Sequence, residues 1–179
     1  MGFDLYGENP VMREIDEDKY PLYNKYVGLD WNERDKIFKE AKDELENEYW
    51  DEYKLRETEN PGIYFRSNVW WWRRLWSFTT HHCDEILTLE DAEGGNYNDM
   101  HLISEEKASA MAKILQEKVD DGTAKQYEDE VKLDIELAEA KDEKDRTDQE
   151  EMALMYPFSV SHLKDFILFC SESGGFTIG

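Results

Sequence analysis

The chain has 179 residues with a formal net charge of −22, and 40% of it is hydrophobic and 13% aromatic. That is enough apolar material for one domain to bury a core, which argues against wholesale disorder. The charge opposes direct binding to nucleic-acid backbone or anionic lipid, no apolar run approaches the roughly 18 residues of a membrane span, and Met1-Gly2-Phe3-Asp4 is no signal peptide, so a soluble protein without nucleic-acid or membrane partners is expected.

In chain order, Phe3-Asp4-Leu5-Tyr6 alternates before Gly7 and Pro10 and predicts a short strand. Residues 8–30, with Pro10, Pro21 and Gly28, read as an irregular acidic stretch. Asp30-Trp31-Asn32-Glu33 has the form of a capping box. The helix it opens carries Ile37, Ala41, Leu45, Tyr49 and Tyr53 at helical spacing, with Phe38 and Trp50 beside them, until Asn60-Pro61-Gly62 stops it. Ile63-Tyr64-Phe65 is β-prone, and Ser67 or Asn68 can cap the helix that the tryptophans begin. In that helix Val69, Trp72, Trp76, Thr79, Cys83 and Ile86 form one stripe, and Trp71, Leu75, Phe78 and His82 a second. Trp70, Arg73, Ser77 and His81 form a third. Two apolar stripes predict burial on most sides.

Glu90 to Asn98, around Gly94-Gly95, reads as a loop. Ser104 caps a helix with the stripe Ala108, Met111, Ala112, Leu115 and Val119, and Gly122 ends it. A charged helix is expected from about Ala124 to Lys144, resting on Tyr127, Val131, Ile135 and Ala138, and residues 123–151 read as a peripheral acidic segment of a single domain, 1–179. Pro157 with Ser159 or Ser161 opens the last helix, which turns Leu163, Phe166, Ile167 and Cys170 inward. Gly174-Gly175 ends it, and Phe176-Thr177-Ile178 alternates as a closing strand. The expected fold class is α+β: a mostly helical single domain with a small sheet built from strands near the N-terminus, residues 63–66 and the C-terminus. Tyr6 stands where a myristoylation signal needs Ser or Thr, and the two thiols, Cys83 and Cys170, suit a reducing cytosol better than a disulfide framework.

The acidity is uneven. From Asn60 to Cys83 there is no Asp or Glu, while Arg66, Arg73, Arg74, His81 and His82 fall there among Tyr64, Phe65, Trp70, Trp71, Trp72, Trp76 and Phe78. Aromatic rings offer faces on which a base stacks, and an arginine fork pairs with phosphate or carboxylate through two parallel hydrogen bonds. The expected ligand site is therefore Tyr64, Arg66, Trp70, Trp71, Arg73, Arg74 and His81, holding a nucleotide-like anion. The alternative is that the tryptophans are core and the arginines lie over them or pair with carboxylates from elsewhere.

Other chemistry is less well supported. Adjacent side chains on a helix point about 100° apart, so His81-His82-Cys83-Asp84-Glu85 cannot converge on one ion, and no metal or other cofactor is expected. Asp99 with Glu105-Glu106-Lys107 resembles a metal-dependent nuclease motif only loosely, because Ser104 places residues 105–107 in the first turn of a helix. No phosphate-binding glycine loop, nucleophile elbow or zincin motif occurs. His81 beside the arginines could serve as an acid or base in a nucleotide hydrolase, the third reading. The second is that carboxylates along residues 123–151 imitate nucleic acid and inhibit a host protein, although Lys125, Lys132, Lys141, Lys144 and Arg146 interrupt the rows.

Gly2-Phe3-Asp4-Leu5-Tyr6-Gly7, the block from Gly62 through Tyr64-Phe65-Arg66-Ser67-Asn68-Val69-Trp70-Trp71-Trp72-Arg73, Tyr97-Asn98-Asp99, Tyr156-Pro157-Phe158-Ser159-Val160 and Ser173-Gly174-Gly175-Phe176 resemble a family of small proteins encoded by tailed bacteriophages. Arg74 stands where those proteins tend to have Pro, and residues 123–151 are charged helix where some carry paired Cys-x-x-Cys zinc modules, so no zinc role carries over. The resemblance implies an origin and a setting, the host cytoplasm, with host defence or metabolism as the target. The reading is a phage accessory protein acting in host interaction or counter-defence, by binding rather than by catalysis. Its expected partners are a nucleotide-like small molecule or a host defence protein.

Overall fold

The alternation at the start of the chain becomes strand β1 (Gly2–Gly7), with Phe3 and Leu5 buried and Asp4 and Tyr6 on the opposite face. The structure, a computed structural model, describes residues 2–13, 17–41 and 43–179. Strand β2 (Tyr64–Asn68) lies antiparallel to one side of β1, Leu5 opposite Phe65. On the other side lies the last strand, β4 (Phe176–Ile178), Leu5 opposite Ile178, and β3 (His101–Ile103) completes the order β2-β1-β4-β3. Both ends of the chain thus meet inside one antiparallel sheet. Period-2 geometry sends Phe3, Leu5, Phe65, Ile103, Phe176 and Ile178 into the core and leaves Asp4, Tyr6, Arg66 and Leu102 on the other face.

The helices that cover the sheet follow the stripes read from the sequence. Asn68 ends β2 and caps α4 (Val69–His82): its Oδ1 accepts from the Trp70 and Trp71 N–H groups at 3.1 and 3.0 Å. Trp72 and Trp76 are sealed in the core, stacked with ring centroids 5.2 Å apart. Each indole N–H finds a carbonyl, Trp72 on Gly95 at 2.7 Å and Trp76 on Ala92 at 3.0 Å, so burial leaves no donor unpaired. Those acceptors belong to or follow α5 (Leu89–Gly94). The rest of the main core comes from α6 (Glu105–Asp120) and α9 (Val160–Glu172), where Met111, Leu115, Leu163 and Phe166 are fully buried. Helices α7 (Thr123–Glu139) and α8 (Asp148–Met155) pack on each other, and Ala124 and Val131 of α7 join the core. The fold is α+β and mostly helical, with strands at both termini and after residue 63, as the sequence predicts. Among the described residues no helix is long and apolar enough to cross a membrane.

The differences from the sequence reading have local causes. The helix expected from Asp30 to Asn60 is two helices, α2 (Trp31–Ala41) and α3 (Asp43–Glu59), folded back so that the Phe38 and Tyr49 rings meet at 5.2 Å. Together with α1 (Pro21–Tyr26) they form a second, smaller core of Tyr26, Phe38 and Tyr49; one straight helix would leave that stripe in water. Helix α1 lies in the stretch read as irregular, where Pro21 supplies the preset φ of a first helical position. The loop expected at 90–98 contains α5, opened by a Thr88/Asp91 capping box. The charged helix stops at Glu139, and a Thr147/Glu150 capping box opens α8.

Candidate functional site: a groove along the fourth helix

Of the three stripes on α4, the third stays in water. Trp70, Arg73, Ser77 and His81 are all exposed, while Trp72, Leu75, Trp76, Phe78 and Thr79 are buried. This exposed row forms one wall of a groove whose opposite walls are α7 and α8. Its larger compartment, about 850 Å³, is lined by Val69, Trp70, Arg73, Arg74 and Ser77 of α4, by Asp134 of α7, and by Met152 and Tyr156 at the end of α8, among others. Ser77 also borders a second compartment of about 360 Å³, lined by Phe78, His81, His82, Gln126, Tyr127 and Glu130 with Thr123.

The electrostatics of the larger compartment are set by the guanidinium groups of Arg73 and Arg74. Among the described residues neither Arg73 nor Arg74 lies within ion-pair distance of an acid, whereas Arg13 pairs with Glu172 and Arg146 with Glu151. Arg73 Nη1 donates to Asn96 Oδ1 at 2.9 Å, with its guanidinium over the Phe3 ring. Arg74 Nε donates to the Tyr156 carbonyl at 3.0 Å, and Nη1 to the Tyr127 hydroxyl at 3.5 Å. Neutral acceptors fix these side chains without cancelling their charge. A carboxylate or phosphate entering the groove meets unspent N–H donors in a protein otherwise strongly negative. Trp70 is 42% exposed and packs on Tyr156, centroids 5.6 Å apart, giving an aromatic wall beside the cations.

The structure brings Trp70, Arg73 and Arg74 into one compartment and puts His81 in the adjoining one, but it does not gather all seven expected residues. Trp71 turns to a third hollow of about 310 Å³ bordered also by Arg66, Ser67, Ser159, His162 and Asp165. There Ser67 Oγ and His162 Nε2 lie 2.9 Å apart, and burial lowers the His162 pKa, with Asp165 partly offsetting it. Tyr64 and Arg66 stand on the open face of the sheet. The Tyr64 hydroxyl donates to Asp4 Oδ1, which lies 3.6 Å from Arg66 Nε. Burial, and then the neighbouring Asp4, push the Tyr64 hydroxyl pKa upward. Strand alternation and the β1 register therefore separate these two residues from the arginines of α4.

His81 and His82 touch each other, and burial followed by His81 lowers the His82 pKa. Among the described residues no group of three His, Cys, Asp or Glu side chains is arranged to hold a metal ion. Glu105 and Glu106 occupy the first turn of α6, and Lys107 pairs with Asp91. Burial alone would raise the Asp91 carboxyl, but hydrogen bonds from Lys107, from Thr88 and from His101 outweigh it and hold it well below the usual range. Cys83 and Cys170 are buried; burial takes the Cys83 thiol to about 12 and pushes Cys170 up as well, so neither is a ready nucleophile. On α7, Glu128 is spent internally on Lys125, Lys132 and the Val160 N–H, and Asp129 on Lys125, which thins the outward acidic row.

Asp134 and Gln126 were not singled out from the sequence, and Tyr156 figured there only in a block resembling phage proteins. They lie on α7 and just after α8, tens of residues from α4, and no spacing rule links them to it. Comparison with protein-family models, curated proteins and solved structures finds no match for this chain.

Proposed function

We propose that the protein is a binding protein that captures a nucleotide-like anion in the groove between α4, α7 and α8, and returns it unchanged. The observation that carries this reading is the pair Arg73 and Arg74, neither with a carboxylate partner among the described residues, set beside a half-exposed indole in a compartment of about 850 Å³. Arginine forks suit phosphate oxygens, the Trp70 face suits a base, and the Asp134 carboxylate, beyond ion-pair distance of either arginine, is a ready acceptor for a sugar hydroxyl. The resemblance to tailed-phage proteins supports a role in the host cytoplasm, where a captured nucleotide would be one the host uses for defence signalling.

Thermal melts and Trp fluorescence with a panel of phosphorylated nucleotides test this. Binding that Arg73→Ala abolishes, with the ligand recovered intact after denaturation, is the expected result. No response across the panel would remove the reading, and recovery of a cleaved product would favour a hydrolase that uses His81.

A further inference from the structure

The groove has two compartments of opposite character, joined at one small residue. Along α4 the order is Trp70, then Arg73 and Arg74, then Ser77, then His81. At about 1.5 Å rise per residue, Trp70 and His81 stand roughly 16 Å apart along the helix axis. The first compartment offers an aromatic wall and two cations. In the second, Glu130 accepts from Gln126 Nε2 at 2.8 Å, and burial and His81 together hold His82 toward its neutral form. A carboxylate and a neutral imidazole make a poor phosphate site. They suit instead the donor and acceptor edge of an uncharged planar group resting on the Tyr127 ring, which itself packs on the buried Phe78 ring with centroids 5.1 Å apart.

We infer that the ligand is two-ended, with a phosphate clamped by Arg73 and Arg74 between two planar groups: one against Trp70 and Tyr156, the other in the compartment of His81, Gln126 and Tyr127. Chemically this is a dinucleotide rather than a mononucleotide. The inference rests on the binding reading above and names its substrate class. Ser77 fits the place where the connecting chain must pass, because its short side chain borders both compartments and blocks neither. One binding event that fills two linked half-sites gains by effective concentration, commonly a factor of a hundred or more over either half alone.

Isothermal titration of the full chain with ribonucleoside 5′-monophosphates and with the matching 5′-phosphorylated dinucleotides, linear and cyclic, tests this. The expected result is binding about a hundredfold tighter for a dinucleotide than for its mononucleotides. Gln126→Ala is expected to weaken the dinucleotide by up to about tenfold, the worth of one hydrogen bond, and the melting temperature of the free variant checks that the fold is intact. Equal affinity for both classes, lost with Arg73→Ala and indifferent to Gln126→Ala, overturns the two-ended ligand and leaves a one-compartment nucleotide site. Absence of binding by either class overturns the two-ended ligand together with the reading on which it stands.

Discussion

Arg74 donates its Nε–H to the main-chain carbonyl of Tyr156 across 3.0 Å, and so ties α4 to the chain that leads into α9. Arg73, one residue earlier, is exposed; it donates to the side-chain oxygen of Asn96 and lies over the Phe3 ring. The two neighbouring cations therefore divide the labour: both can face an anion, but one is also a fastening. A charged donor on a half-buried carbonyl is worth on the order of 1–2 kcal/mol.

Arg74→Ala is expected to lower the melting temperature by roughly 2–8 °C, taking about 2–4 °C per kcal/mol for a chain of this size. Arg73→Ala, at an exposed position, should leave it within about 2 °C. Differential scanning calorimetry of the two variants without ligand measures this directly. Equal melting temperatures would mean that the Tyr156 contact contributes no stability.

Gly95 touches the indole that anchors α4. A methyl group built on it would sit 2.0 Å from Trp76 Cε2, and its carbonyl holds the Trp72 N–H at 2.7 Å. The ring is fully buried and cannot swing aside, so Gly95→Ala must push α5 away from the stacked indoles. The expected cost is about 1–3 kcal/mol, as for other overpacked cores, with a red shift of Trp emission as water reaches the pair. Chemical denaturation followed by fluorescence reads both, and an unshifted midpoint would show that α5 yields freely.

His162 couples stability to pH. Burial of this α9 side chain against Phe65 of β2 and Trp71 of α4 depresses its folded pKa below the ordinary 6.5, so the unfolded chain takes up the proton first as pH falls. Its contribution is whole above about pH 6.5 and is lost as pH drops through the lower folded value. His82 titrates in the same sense, for the same leading cause. His162→Gln should therefore flatten the fall in stability between neutral and mildly acid pH, and His82→Gln should remove much of the remainder. Comparing each variant with the parent at every pH cancels the shared effect of protonating surface carboxylates. Parallel urea-midpoint curves for parent and His162→Gln would exclude the coupling.

Much of this architecture is legible residue by residue. The capping oxygen of Asn68, the period of Val69, Trp72 and Trp76, the inward face of α9 and the positive φ of Gly174 and Gly175 are local matters, decided by sterics and hydrogen bonding over a few residues. The exposed row Trp70, Arg73, Ser77 and His81 is written in the helical repeat itself. The division into α2 and α3 was hidden because the periodicity of Ile37, Ala41, Leu45 and Tyr49 runs straight across it. Only the gain from burying Phe38 against Tyr49 reveals the fold-back.

Sequence by itself determined which residues carry charge and rings, and which face of α4 remains in water, since helical period and apolar content suffice for both. Tertiary structure alone decided that Arg66 and Tyr64 stand with Asp4 on the sheet, away from the arginines of α4. It also decided that Asp134, Gln126 and Tyr156 supply the groove's other walls. The physical reason is that strand register and helix packing are settled by contacts between segments far apart in the chain, and no local pattern records which distant segment will arrive.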